Sequence, residues 1–151
     1  MTRLLLLAVP ALLLVAACQH RQQGPVETVE TKGPAPDPTW NVVQMEMQLL
    51  TTVLENAMRA VGDGDVSHVA KELHQLHQAK EATEAAVKDG SYTLPKGSDQ
   101  VPTFLAMDDA FHKQLEAMVR ASRANDVPAM AQAIGNTLNA CHGCHALFRD
   151  P

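Results

Sequence analysis

Three side chains near the C-terminus have the types and the spacing to carry chemistry. The segment CHGCH places Cys141 and Cys144 three residues apart, and His145 directly follows the second cysteine. On a helix, thiols three residues apart are separated by about 300° of rotation, so both can reach one side. Such a group could attach a haem through two thioethers, bind a zinc ion, or act as a redox dithiol.

The N-terminus predicts that the chain is exported. It reads MTRLLLLAVPALLLVAAC, with one basic residue, an apolar run and a small-residue ending, which predicts a secretory signal over residues 1–17. The ending VAAC resembles the bacterial lipobox, so we expect Cys18 to become a lipid-bearing N-terminus. The alternative is an ordinary signal that happens to contain Cys18.

The predicted export and the rest of the sequence favour one of the three candidate roles of the cysteine motif, which are haem attachment, zinc binding and dithiol redox chemistry. Structural zinc usually takes four ligands, commonly two pairs of cysteines, and the third cysteine of this chain is Cys18. A thioredoxin-like dithiol belongs to a βαβ pattern, which the sequence does not show. Haem of the c type is attached after export, so the motif favours covalent haem.

The motif must be positioned by helices. Residues 18–38 are polar and rich in proline and glycine, which is typical of a solvated tether. Residues 39–151 then form the predicted domain. Helical spacing indicates a first helix from Thr39 to Val61, a second capped by Asp65 and ending near Lys88, and a third starting near Pro102.

A fourth helix completes the domain. Asn125 or Asp126 would cap it, and Pro128 would lie in its first turn, where a missing N–H costs little. Its expected inward side chains are Val127, Met130, Ile134, Leu138, Cys141, His145 and Phe148. The predicted fold is all-α, an antiparallel four-helix bundle with the haem on its last helix. A haem in the core would also compensate for an aromatic content of only 3%.

Two segments of the chain resemble each other. RAVGDGDVSHVA, from Arg59, and RASRANDVPAMA, from Arg120, share Arg, Ala, Asp, Val and Ala at one offset. Either two similar helical hairpins or the general likeness of capped helix starts would produce this pattern.

The segment CHGCHALFR on a last helix resembles the class II c-type cytochromes, which comprise cytochrome c′ and its low-spin relatives of the cytochrome c-556 type. The resemblance covers about residues 39–150 and is specific only in this segment. It implies thioethers at Cys141 and Cys144 and iron ligation by His145. It also implies that Phe148 packs near the ring and that Arg149 lies close to it.

The resemblance further implies that a first-helix residue covers the other face of the iron. A methionine there gives six-coordinate iron suited to electron transfer, whereas a bulky non-ligand leaves five-coordinate iron that binds small gases. Met47 follows the inward stripe and Met45 lies on a flanking face, so Met47 is the candidate ligand. Its alternative is plain core packing. Many cytochromes c′ have Lys between the cysteines and an early Arg in the first helix; this chain has neither, which favours methionine ligation.

The other histidines suggest weaker sites. His74 and His77 could share a face and, with Met45 or Met47, bind copper, although a solvated face is the commoner arrangement. His112 is expected at the surface. None of these residues is assigned a role.

The sequence therefore predicts a lipid-anchored periplasmic monohaem cytochrome that carries single electrons and is not an enzyme. A net charge of −5 argues against nucleic acid and suits a basic redox partner. Gln19 favours the outer membrane, and the resemblance would allow a homodimer. Two alternatives remain: a five-coordinate protein that binds nitric oxide or carbon monoxide, and a non-haem periplasmic metal-binding bundle.

Overall fold

The computed structural model describes residues 41–149. They form five helices, which are α1 (Val42–Asp63), α2 (Val69–Leu73), α3 (Leu76–Asp89), α4 (Val101–Ala124) and α5 (Val127–Phe148). The predicted signal, the tether and Cys18 lie outside the described residues. Within those residues, no helix is both long enough and apolar enough to cross a membrane.

The helices form the four arms of a bundle, with α2 and α3 together making the second arm. The most extensive packing joins α4 to α5, α1 lies against α3 and α5, and α2 lies against α4. The predicted all-α four-helix bundle is therefore confirmed.

The second arm differs from the single helix that was predicted. Asp65 does not cap it, because its carboxylate accepts the backbone N–H of Ser67 in a local turn and α2 begins only at Val69. The arm is interrupted again at His74 and Gln75. There the Gln75 N–H donates to the Glu72 carbonyl, three residues back, so the helical ladder tightens for one turn between α2 and α3.

Side chains and prolines define the starts of the long helices. Asn41 and Gln44 form a reciprocal capping box, so α1 begins three residues later than the predicted Thr39. Asp126 accepts the Ala129 N–H and caps α5. Pro102 and Pro128 occupy first turns as predicted.

The two segments that resemble each other end α1 and α4 in the same way. Gly64 and Asn125 both adopt left-handed conformations, and the following N–H groups of Asp65 and Asp126 donate to the carbonyls of Ala60 and Ala121. The two segments therefore share one turn geometry at equivalent positions.

The equivalent turns are also bound to each other. The Asn125 side-chain oxygen accepts the Val66 N–H at 2.9 Å. The buried Ser122 hydroxyl donates to the Val66 carbonyl at 2.7 Å and accepts the Ala70 N–H at 2.9 Å. These bonds join the start of the second arm to the end of α4.

The buried side chains form two hydrophobic clusters. The larger cluster draws side chains from all five helices, and the smaller one contains Val87, Leu94, Phe104 and Phe148. On α4 the side chains of Phe104, Phe111, Leu115 and Met118 are buried, and that of Met107 is half-buried. On α5, Leu138 was predicted to be inward but is 46% exposed, and Thr137 is buried in its place. The Thr137 hydroxyl donates to the Ala133 carbonyl, which allows its burial.

Candidate functional site

The cysteine–histidine motif occupies the last turns of α5. Cys141, Cys144 and His145 are all half-buried, and neither cysteine is in a disulfide. Asp126 caps the start of α5. The packing of α5 against α4 holds this helix in the bundle. Helix α5 thus carries two free thiols and an imidazole within its last turns.

The two thiols contact different hydrophobic clusters. Cys141 packs against the larger cluster, and Cys144 packs against the smaller one. Both cysteines therefore contact the bundle interior.

Burial keeps both thiols protonated. It raises the pKa of Cys141, and burial, with the negative charges of Asp108 and Cys141, raises the pKa of Cys144 to about 11. Reactive and redox-active cysteines need the thiolate and sit in surroundings that lower the pKa. The environment of Cys141 and Cys144 does not favour a redox dithiol.

His145 is held in its neutral form. Burial, followed by the positive charges of Arg149 and His142, lowers its pKa. A neutral imidazole has a free nitrogen lone pair, which is the form that ligates a metal.

Phe148 and Arg149 lie just beyond the motif. Phe148 is buried in the smaller cluster and meets Phe104 edge to face, with ring centroids 5.4 Å apart. Arg149 is exposed at the end of α5, where its backbone N–H donates to the His145 carbonyl. Phe148 is thus placed to pack beside a group held by Cys144.

Met47 lies on the inner side of α1. It is half-buried and packs against the larger cluster, which Cys141 also contacts, whereas Met45 is 41% exposed. As predicted, Met47 faces the bundle interior and Met45 faces outward. The role of Met47 as an iron ligand stays a prediction.

A buried polar group that was not predicted from the sequence lies between α1 and α4. Glu46 is fully buried and Asp108 is 7% exposed, and the His112 side chain between them is 12% exposed. The expectation that His112 lies at the surface is wrong, because its Nε2 lies 3.0 Å from Glu46 Oε1 and 3.6 Å from Asp108 Oδ1. The available signal was the spacing of Asp108 and His112, one helical turn apart and alternating with the buried Phe104 and Phe111.

This polar group acts electrostatically on the cysteine motif. Burial and the charge of Glu46 raise the pKa of Asp108 to about 6, against the opposing charges of His112 and Lys80. Asp108 in turn contributes to the raised pKa of Cys144. The negative charge of Asp108, on α4, therefore raises the pKa of a cysteine on α5.

One groove among the described residues lies away from the cysteines. It has a volume of about 470 Å³ between the second arm and α4, and its basic lining includes Lys80, Lys113, Arg120 and Arg123. The exposed His74 and His77 also line it. Among the described residues, neither belongs to a group of three histidine, cysteine, aspartate or glutamate side chains that could share an ion.

The donor set of the motif fits a covalently attached porphyrin better than a zinc ion or a redox couple. The protonated thiols can form thioethers, and the adjacent neutral imidazole can ligate iron. Cys141 and Cys144 each contact an apolar cluster, which suits a large apolar ring.

One comparison with known proteins gives a match. The model of the family described as Cytochrome C′ matches residues 40–149. No curated protein and no solved structure matches the chain.

Proposed function

Because the chain belongs to the cytochrome c′ family of c-type haem proteins, we propose that it is a monohaem cytochrome that carries single electrons. His145 would be the proximal iron ligand and Met47 the distal one. The observation that carries the proposal is the placement of two protonated thiols and a neutral imidazole on the last turns of α5, against the bundle interior.

The residues of the chain would hold the group and shape its surroundings. A haem supplies the one-electron chemistry when bound. Cys141 and Cys144 would hold it through thioethers, and His145 would donate a ring nitrogen to the iron. Phe148 and the two apolar clusters would exclude water from the ring. Burial and methionine ligation both raise the reduction potential of a haem.

The second candidate function is binding of a small gas such as nitric oxide or carbon monoxide. Met47 already packs against the larger cluster, and its neighbour Glu46 is bonded to His112. If Met47 stayed in this packing it would not ligate the iron, and the open position would be available to a small gas. The non-haem metal-binding alternative receives less support, because the environment of both cysteines disfavours the thiolate.

The absorption spectrum of the protein expressed with the haem-attachment machinery tests these functions. If the protein carries electrons with Met47 as a ligand, we expect the spectrum of covalently bound low-spin haem iron with a sulfur-to-iron band. A high-spin spectrum that shifts with carbon monoxide would instead support gas binding, and a colourless protein would overturn both haem functions.

The distal ligand is tested by Met47→Ala. We expect this variant to convert low-spin iron to high-spin iron, because it removes the sulfur from the inner side of α1. Met45→Ala is the matched control, since Met45 is exposed and should leave the spectrum unchanged. A Met47→Ala spectrum identical to that of the native chain would remove Met47 as the ligand.

We also propose a periplasmic location, with a lipid on Cys18 as the membrane anchor and the outer membrane as the favoured site. The support is the signal-like N-terminus, the VAAC sequence and Gln19. The net charge of −5 suits a basic redox partner in weak, salt-sensitive encounters. A homodimer would be compatible with this role, and we propose no catalytic activity.

A further inference from the structure

We propose that Glu46, Asp108 and His112 form a binding site for a divalent transition-metal ion, separate from the haem iron. The two carboxylates and the imidazole come from α1 and α4, whereas the haem motif is on α5. Within the part of the chain that the structure describes, this is the one group of three such side chains with ligand atoms close enough to share an ion.

The spacing of the donor atoms fits a tetrahedral ion. Zinc binds nitrogen and carboxylate oxygen at roughly 2.0 to 2.2 Å, which separates neighbouring tetrahedral ligands by about 3.3 to 3.5 Å. His112 Nε2 lies 3.0 Å from Glu46 Oε1 and 3.6 Å from Asp108 Oδ1. All three ligand atoms lie within 4.8 Å of one another. Small side-chain adjustments would therefore bring them onto one ion.

Two carboxylate oxygens of this group have no hydrogen-bond partner among the described residues. Glu46 Oε2 and Asp108 Oδ2 are buried and accept no hydrogen bond from the described residues. Glu46 is fully buried and Asp108 is 7% exposed, so these oxygens are shielded from bulk solvent. A buried carboxylate oxygen without a partner is costly, and a cation between the two carboxylates would remove that cost.

The charges around the group also favour a cation. His112 is the one basic side chain in contact with both carboxylates among the described residues. Lys80 acts on Asp108 but is paired with Glu84, and it also lies 3.9 Å from Asp109. A doubly charged ion would balance the two buried carboxylates while His112 binds as a neutral ligand.

Three protein ligands leave at least one coordination position for water or a small anion. One imidazole and two carboxylates form a borderline set that suits zinc or manganese better than the softer copper(I). Zn²⁺ is the appropriate probe because it undergoes no redox reaction with the haem.

The test is Zn²⁺ binding to the full-length, haem-loaded protein after treatment with a chelator, measured by equilibrium dialysis and calorimetry. We expect one Zn²⁺ per chain. Glu46→Gln, which keeps the side-chain volume, should weaken binding by at least about tenfold, as should His112→Ala. Asp109→Asn and His77→Ala are matched controls at exposed positions and should bind as the native chain does.

A thermal readout covers variants that fold poorly. Zn²⁺ should raise the melting temperature of the native chain and of Asp109→Asn, but should not raise that of Glu46→Gln. The haem spectrum confirms in each case that the protein is loaded. No zinc uptake by the native chain, or equal uptake by Glu46→Gln, would overturn the proposal and would leave His112 with only its contacts to the two carboxylates.

Discussion

At the scale of single residues, Asp108 and Asp109 are neighbours in sequence that face opposite electrostatic environments. Burial and the charge of Glu46 raise the pKa of Asp108 to about 6. The exposed Asp109 is bonded to Lys113, which lowers its pKa. The position on α4, and not the residue type, sets the direction of each shift.

This difference predicts how stability depends on pH. The folded chain binds the Asp108 proton more tightly than the unfolded chain, so the free energy of unfolding falls as pH rises from about 4 to about 6. Asp108→Asn should remove this slope and, with a chelator present, raise the free energy of unfolding at pH 7.5 by at most roughly 2 to 3 kcal/mol. Denaturant unfolding at pH 4.5 and 7.5 measures both effects.

Asp109→Asn is the control for this prediction. Because its folded pKa is lowered, Asp109 contributes stability above its unfolded pKa, and that stability is lost as pH falls. Its replacement should therefore slightly reduce the free energy of unfolding at pH 7.5 and have little effect at low pH. If the two variants responded to pH in the same way, burial would not be the cause of the Asp108 shift.

At the scale of elements, the end of α1 depends on one backbone conformation. Gly64 has a φ of 78°, which side chains disfavour, and its N–H donates to the last carbonyls of the helix. Gly62 lies two residues earlier, within the helix. A Cβ at either position would meet no atom within 4 Å, so sterics do not separate the two sites.

The two glycines should therefore respond oppositely to alanine. Gly64→Ala should lower the free energy of unfolding by about 1 kcal/mol, because alanine is strained in the left-handed region. Gly62→Ala should raise it by roughly 0.5 to 1 kcal/mol, because alanine favours the helix. Chemical denaturation of both variants measures the difference. A Gly64→Ala chain as stable as Gly62→Ala would show that the turn tolerates another conformation.

At the scale of the whole molecule, membrane attachment depends on one residue outside the described range. If Cys18 carries a lipid, Cys18→Ser should move the haem protein from the membrane fraction to the soluble periplasmic fraction. Its absorption spectrum should stay the same, because residues 40–149 account for the family match without Cys18. Fractionation with and without detergent measures this.

Met45→Ala serves again as a control and should remain in the membrane fraction. A Cys18→Ser chain that stays membrane-bound after a salt wash would contradict the lipid anchor. It would leave the N-terminal apolar segment as the attachment.

The sequence by itself determined the features that depend on neighbouring residues. The spacing of Cys141, Cys144 and His145 allows the three side chains to act together from one helix. Asp126 and Pro128 define the start of that helix. Local hydrogen bonds and helical periodicity act within a few residues, so the bundle, most of its buried side chains and the position of the cysteine–histidine segment on the last helix could be predicted from the chain alone.

The tertiary structure decided what depends on contacts between helices. Whether Thr137 or Leu138 faces inward cannot be read from the periodicity of α5, because both fit a helical stripe and only the packed neighbours select one. The burial of Glu46 is likewise set by His112, 66 residues away in sequence on α4. A charged residue is buried only where a partner compensates its desolvation, and the fold alone brings that partner within 3.0 Å.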